Sequence, residues 1–202
     1  NDWLRGDNPD LPTVAEFERW MVEKQAETSR SALPPVITIP VVVHVIHNGE
    51  SVGSGSNISD AQVISQIDVL NEDFRKMMGT PGFNNNPVGA GSEIEFCLAQ
   101  VDPSGNPTSG INRVNGGSNS WGSAAFDSQK KPTTQWDPNS YMNMWCAPLS
   151  GGLLGYAVFP VGSGLPGLFG GSAANEDGVV MGYQFFGSTD KGNFPVMQAP
   201  YD

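Results

Sequence analysis

Apolar residues follow one another closely in several short runs, and these runs predict the strands. Val41 to Val43, Val45 and Ile46 form a nearly continuous apolar segment, which is typical of a central strand covered on both faces. We therefore predict a strand over residues 36–47. Shorter runs of the same kind predict strands at 94–99, 141–146, 153–159 and 178–186.

A second spacing, of three or four residues, predicts a helix. Ser59 and Gln62 have the spacing of a capping box, and we expect the helix to run from about Ser59 to Met77. The succession of strand, helix and strand between residues 36 and 101 predicts a right-handed βαβ crossover. The apolar positions of this helix are Val63, Ile67, Leu70, Phe74 and Met77.

Long connections separate these elements. Residues 79–92 and 103–135 are rich in Gly, Asn, Ser and Pro, and we predict that both are loops. Residues 1–35 differ from the rest, because a short amphipathic helix that starts at the capping pair Thr13 and Glu16 leads into a polar, proline-containing linker. Such a short helix is marginal alone and has to dock on something, so we interpret this part as an accessory segment.

The charge of the chain excludes several classes of partner. Ten Lys and Arg residues stand against 21 Asp and Glu, which gives a formal net charge of −11. A surface that binds nucleic acid or anionic membrane needs clustered basic residues, and only four follow Lys76. We therefore expect no nucleic-acid or membrane partner, and we interpret the acidic surface as solubilising.

The groups that usually perform catalysis or bind metals are not arranged for either task. His44 and His47 are three residues apart on one strand, so they point to opposite faces, and we expect structural roles for both. Glu93 and Glu95 share a strand face and are expected to lie in solvent. The pair Glu176-Asp177 supplies too few oxygens for calcium and is more typical of a turn. We therefore assign no catalytic residue and no metal ligand.

The two cysteines, Cys97 and Cys146, lie in apolar strand-like runs. A buried reduced thiol is the default for such positions. A disulfide between them is the alternative, and the sequence leaves it open.

One segment has a physical function that the sequence itself suggests. Leu153 to Ala157 follows a Gly-Gly pair, contains Gly155 and comes before Pro160, which is typical of a strand at the edge of a sheet. Such a strand either is an ordinary edge or accepts an extended peptide by β-augmentation.

An ordered set of segments resembles the pappalysin family of metzincin zinc endopeptidases. The matching stretches are Ile39 to Ile46, Asn57 to Gln62, Gln66 to Phe74, Ile94 to Ala99, Trp136 to Asn139, Tyr141 to Trp145, Gly151 to Ala157 and Asp177 to Val180. The resemblance implies an α/β (or α+β) fold: the upper subdomain of a metzincin, with a twisted five-stranded mixed sheet backed by helices. The sheet would be mostly parallel with one antiparallel edge strand.

The resemblance also implies where the function lies. In the family, the strand matching Leu154, Gly155, Tyr156 and Ala157 binds the substrate backbone at the upper rim of the cleft. The family's zinc signature, with three histidine ligands and a glutamate base, would follow Asp202. Zinc would then belong to the parent protein, which could also hold calcium, while we expect no cofactor in this fragment and no activity of it alone.

The same resemblance implies a division of the chain. Residues 1–35 would be a pro-segment, with activation cleavage beside Arg30, and 36–202 the upper subdomain. No cysteine precedes Cys97, so Asp2, Asp7 or Asp10 would have to keep the zinc latent, with nothing to choose among them.

Partners and alternatives follow from this interpretation. We expect a secreted, extracellular protein that acts on proteins or peptides, and a dimer or a complementing chain at the face left uncovered by truncation. The alternative is a non-catalytic extracellular binding module that uses the exposed edge strand. We also expect Gly155→Val to weaken substrate binding with little loss of fold.

Overall fold

The computed structural model of the chain describes residues 13–28, 36–158 and 177–198. Helix α1, Val14–Thr28, begins at the predicted capping box: the Glu16 amide donates to the Thr13 hydroxyl at 3.2 Å, and the Thr13 amide donates to Glu16 Oε2 at 2.6 Å. The proposed latency residues Asp2, Asp7 and Asp10 and the cleavage site at Arg30 lie outside the described residues.

The rest of the described chain forms one sheet with helices on both faces. In chain order the elements are β1 (Ile37–His47), α2 (Asp60–Phe74), β2 (Ile94–Leu98), β3 (Ile111–Asn115), α3 (Ser123–Gln129), α4 (Lys131–Thr134), β4 (Met142–Ala147), β5 (Gly155–Val158) and β6 (Gly178–Gly182). Two 3-10 turns, Tyr183–Phe185 and Thr189–Lys191, follow β6. Among the described helices, none is long and apolar enough to cross a membrane.

The strand order confirms the predicted fold class. The sheet runs β2-β1-β4-β6-β5, and β3 also pairs with β1 beyond the end of β2. Every pairing is parallel except that of β5 with β6, which is antiparallel. Strand β1 lies at the centre, as its continuous apolar run predicts, and its residues 41–46 are buried.

The sheet has six strands, one more than predicted, because β3 lies in a stretch that the sequence suggested was a loop. The β3 sequence, Ile-Asn-Arg-Val-Asn, has no apolar periodicity that marks it as a strand. Its polar groups are instead used inside the protein: Arg113 Nη1 donates to Asn57 Oδ1 at 2.6 Å and to the Ile58 carbonyl at 2.8 Å. The same stretch contains the short helices α3 and α4, so the prediction of a loop over 103–135 was wrong.

Two apolar clusters cover the two faces of the sheet. On one face α2 packs against odd-numbered residues of β1, with Val41, Val43, Val45, Val63, Ile67, Met144 and Phe186 among the buried residues. On the other face the chain around α3 packs against even-numbered residues of β1 and their neighbours on β4 and β6. The buried residues there include Ile46, Trp121, Phe126, Trp145 and Val180. Each strand thus contributes alternate side chains to opposite layers.

Helix α2 also binds the segment that follows β6. Ser59 caps the helix as predicted, with its hydroxyl accepting from the Gln62 amide at 3.2 Å. The Gln62 side chain does not complete a capping box but donates to the Phe186 carbonyl at 2.8 Å. Gln66 Oε1 accepts from the Gly187 amide at 2.9 Å, and the Ser65 hydroxyl from the Ser188 amide at 3.1 Å. The helix ends at Phe74, three residues earlier than predicted.

A polar network lies inside the second layer, around the fully buried imidazole of His44. Asn143 Nδ2 donates to the Trp136 carbonyl at 2.9 Å, and its Oδ1 accepts from the Trp136 amide at 2.8 Å, which fixes the orientation of the carboxamide. His44 Nε2 lies 2.9 Å from the same Oδ1 and is therefore the donor. Nδ1 then accepts from Asn112 Nδ2 at 3.0 Å, so both ring nitrogens of a neutral imidazole are paired.

This network makes the stability of the fold depend on pH. Burial lowers the pKa of His44 from 6.5 to about 4, against the opposing effect of its hydrogen bond to Asn143. Between these pH values the unfolded chain binds a proton that the folded chain does not, so stability falls as the pH falls. From pH 7 to 4.5 we expect wild type to lose about 2 to 3 kcal/mol more unfolding free energy than His44→Gln.

Urea unfolding of both proteins at each pH measures this difference. Glutamine offers a donor and an acceptor but does not titrate, so the carboxylates contribute equally to both curves. Equal losses of stability in the two proteins would show that His44 is not held neutral by the fold.

Candidate functional site

The two ends of the sheet differ in whether their backbone groups are already paired. At one end, Phe96 of β2 turns its amide and carbonyl away from β1. Asn71 of α2 pairs with both groups, donating to the carbonyl at 2.9 Å and accepting from the amide at 2.7 Å. At the other end, β5 pairs with β6 alone among the described strands. Within the part of the chain that the structure describes, the β5 end is therefore the edge whose outward groups have no strand beside them.

The register of β5 shows which backbone groups face outward. The Gly182 amide donates to the Leu154 carbonyl at 2.8 Å, and Tyr156 lies opposite Val180. In an antiparallel pair, residues alternate between those that bond to the neighbour and those that do not. Leu154, Tyr156 and Val158 therefore bond to β6. Gly155 and Ala157 present both their amides and their carbonyls to the open side.

Gly155 is required by close backbone packing. A Cβ atom at this position would lie 2.7 Å from the Val180 carbonyl oxygen, and no contact that short is tolerated without movement of one strand. The expectation that Gly155→Val would leave the fold nearly intact is therefore wrong. Ala157, two residues further on, is exposed and carries no such constraint.

The Tyr156 side chain points away from the face of Gly155 and Ala157 and is held inside the protein. Its hydroxyl donates to Asp127 Oδ1 of α3 at 2.7 Å, and its ring packs with the second apolar cluster. Leu154 is 45% exposed. Three of the four residues predicted to bind substrate thus lie on β5, and Leu154 directly precedes it. Gly155 and Ala157 offer backbone groups, and Tyr156 anchors the strand. Their binding of substrate stays a prediction.

Sequence reasoning missed the residues that support this strand. Asp127 and Lys131 lie in the stretch predicted to be a loop, where their four-residue spacing is the only local signal of a helical pair. Their contact with Tyr156 joins positions that are far apart in the sequence and is visible only once the sheet is assembled.

The other acidic candidates form ion pairs or line a cavity. Glu93 and Glu95 both bind the Arg75 guanidinium, at 3.5 and 3.2 Å. Asp177 lines a cavity of about 380 Å³ at the amino-terminal ends of β1, β4 and β6. Burial raises the pKa of this carboxyl group, with the charge of Lys131 opposing the shift. Glu176, its predicted partner in a turn, lies outside the described residues.

The cysteines are both free thiols. Cys97 is half-buried on β2 and Cys146 is buried on β4, with the central strand β1 between these two strands. Burial raises the pKa of the Cys146 thiol, so it stays protonated at physiological pH.

The described residues do not fit a zinc site. His44 uses both ring nitrogens in hydrogen bonds, and His47 Nδ1 accepts from the Gly49 amide at 3.0 Å. These are the only two histidines in the sequence. Within residues 13–28, 36–158 and 177–198, no three His, Cys, Asp or Glu side chains are grouped so that they could hold a metal ion. No metal-dependent step is therefore assigned to any of the described residues.

Comparison with known proteins finds relatives only among solved structures. No protein-family model and no curated protein sequence matches the chain. Promirolysin of Tannerella forsythia, as the E225A mutant, is 33% identical over the whole chain with a TM-score of 0.67. Mature mirolysin of the same organism with a cleaved peptide is 37% identical over 84% of the chain, with a TM-score of 0.66.

A third structure, mirolysin in complex with a small compound, is 38% identical over 84% of the chain, with a TM-score of 0.65. The chain spans about three fifths of the mirolysin chains it matches, between 59 and 61% of their length. The mixed sheet, mostly parallel with one antiparallel pair and backed by helices, matches the metzincin-like protease fold of these structures.

Proposed function

We propose that this chain is the amino-terminal part of a secreted zinc endopeptidase of the metzincin class, related to the pappalysins, which hydrolyses peptide bonds of proteins. Strand β5 would form one wall of its cleft. The similarity to mirolysin, a metzincin-type zinc metalloprotease, supports the class of enzyme. The structure of mature mirolysin with a cleaved peptide supports a peptide as the substrate.

The observation that carries the proposal is the open edge at Gly155 and Ala157. An extended peptide that adds to this edge meets up to four backbone hydrogen-bonding groups, two from each residue. Each such bond contributes a net ~0.5–1.5 kcal/mol to the binding free energy. Together the bonds hold a peptide in an extended conformation without selecting among its side chains. This wall binds and orients a peptide, and it suits an enzyme that acts on many sequences.

The remaining parts of the enzyme are proposed to lie outside this chain. The zinc ligands and the general base would follow residue 202, and residues 1–35 would be a pro-segment, an idea that the promirolysin similarity over the whole chain supports. A second copy or a complementing chain would then cover the face of the fold that this chain leaves uncovered. Calcium in the parent protein remains an expectation.

One prediction of this proposal concerns the activity of the chain with and without its continuation. The 202-residue chain should not cleave casein, whereas a protein that continues to the length of mirolysin should cleave it and lose that activity in 1,10-phenanthroline. Casein hydrolysis by both purified proteins, with added zinc as the recovery control, tests this. Chelator-sensitive cleavage by the 202-residue chain would contradict the placement of the catalytic groups.

A second prediction tests the open edge. Ala157→Pro removes an outward amide without touching the ladder to β6, because a proline is tolerated on an edge strand where its nitrogen faces solvent. We expect the longer protein's kcat/KM for extended peptides to fall at least about tenfold, since a hydrogen bond is lost and the ring blocks close approach. The thermal midpoint should change little.

Ala157→Ser is the matched control, because it keeps the amide on an equally small, exposed side chain, and we expect its kcat/KM to stay near wild type. If Ala157→Pro and Ala157→Ser cleave peptides equally well, β5 is not the substrate wall. If the longer protein is inactive but the chain binds extended peptides through Ala157, the edge belongs to a binding module instead.

A further inference from the structure

We propose that Asp127 and Lys131 are positioning residues that hold β5 in place through the side chain of Tyr156. The inference rests on the proposed function, since it deepens the role of the same strand. It identifies what keeps the outward backbone groups of Gly155 and Ala157 in a fixed position for an incoming peptide.

Strand β5 needs support from outside its own ladder. It contains four residues and pairs with one described neighbour, β6. Edge strands of this length have few hydrogen bonds to lose and are therefore among the first parts of a sheet to open. A binding edge that opens freely has to be ordered again each time a peptide adds, which weakens binding.

The Tyr156 side chain provides that support on the opposite face of the sheet. Its hydroxyl donates to Asp127 Oδ1 at 2.7 Å, and the Ser123 carbonyl oxygen lies 3.4 Å away. Lys131 Nζ lies 4.8 Å from the centre of the Tyr156 ring and 2.9 Å from the same Asp127 oxygen. The tyrosine is thus held at its ring and at its hydroxyl by two residues one helical turn apart.

Lys131 connects this contact to the centre of the sheet. Its side chain is fully buried, and Nζ also lies 5.4 Å from the centre of the Trp145 ring on β4. Trp145 stacks on His44 of β1, with ring centres 5.2 Å apart. A continuous series of side-chain contacts, from His44 through Trp145 and Lys131 to Tyr156, therefore runs from the central strand to the edge strand.

Stability alone is a poor reason for a buried lysine at this position. Removing a charged pair from water carries a desolvation cost that the attraction between the charges often fails to recover, and an apolar side chain would fill the same space without it. A lysine above two rings, bonded to an aspartate, instead fixes directions and distances. Fixed geometry is what a peptide-binding edge requires.

Amide exchange in the 202-residue chain tests the inference without any enzymatic assay. We call Tyr156→Phe, Asp127→Asn and Lys131→Met the clamp variants. Each should speed exchange of the Tyr156 and Val158 amides, which bond to β6, at least about tenfold. Exchange at the β1 and β4 amides should stay within about twofold of wild type. Tyr156→Phe is the mildest variant, since it removes one oxygen atom.

Two matched controls make the same chemical changes elsewhere. Tyr141→Phe removes a hydroxyl that donates to the Val101 carbonyl at 2.9 Å, and Lys130→Met removes an ammonium group 4.7 Å from the Trp121 ring. Neither of these contacts involves β5, so amide exchange in β5 should stay at the wild-type rate. Equal exchange in the clamp variants and the controls, or a uniform rise over the whole sheet, would overturn the inference.

Kinetics in the longer, active protein provide a second test. For extended peptide substrates the three clamp variants should raise KM about three- to tenfold, with kcat within about twofold of wild type. A residue that only stabilises the fold would lower the thermal midpoint and leave KM unchanged, and that result would also overturn the inference.

The two tests separate failure of this inference from failure of the proposed function. Faster exchange at Tyr156 and Val158 in the clamp variants upholds the positioning role even if the longer protein cleaves nothing. Unchanged exchange refutes the positioning role even if the longer protein is a chelator-sensitive peptidase.

Discussion

The antiparallel pairing of β5 with β6 determines which backbone groups of the edge strand face outward. Because hydrogen bonds in such a pair alternate along the strand, bonding of Leu154 and Tyr156 to β6 leaves Gly155 and Ala157 directed outward. At the other end of the sheet Asn71 occupies the equivalent outward groups of Phe96. At one end a side chain of the same protein thus pairs with outward groups of the edge strand, whereas no described strand lies beyond β5 at the other.

Buried polar side chains support this arrangement from behind. His44, Asn143 and Lys131 all lie in the layer opposite the face of Gly155 and Ala157, and each is paired by hydrogen bonds or by charge. Burying such groups is costly unless they are satisfied, so the layer tolerates few alternative arrangements. Contacts of Lys131 with the Trp145 and Tyr156 rings connect the central strands to the edge strand within this layer.

The sequence indicated most of the sheet but only part of the site. Strands β1, β2, β4, β5 and β6 were predicted because apolar runs report burial directly, and the edge position of β5 followed from its glycines and proline. Strand β3 was missed because Asn112 and Arg113 find their partners far away in the sequence, at His44 and Asn57. Periodicity cannot detect polar residues whose burial depends on distant partners.

The roles of the rim residues illustrate the same limit. The resemblance to a known family placed four residues on a substrate-binding strand, but it did not distinguish their roles. The register separates Gly155 and Ala157 from Tyr156, whose side chain faces the helices and whose partner Asp127 lies 29 positions earlier. Distinctions of this kind depend on which face of a strand meets which helix, and no local pattern records that.

The attachment of residues 186–188 to α2 has a consequence for any chain beyond them. Gln62, Ser65 and Gln66 hold this segment through its main-chain groups rather than its side chains. The Phe186 side chain is also buried in the first apolar cluster, and Gly187 has a φ of +104°. The helix and the segment together therefore set the point from which a downstream chain would depart. A side chain at Gly187 would come within 2.8 Å of Ser65 Oγ, so a substitution there would displace that departure point, as would the loss of either glutamine of α2.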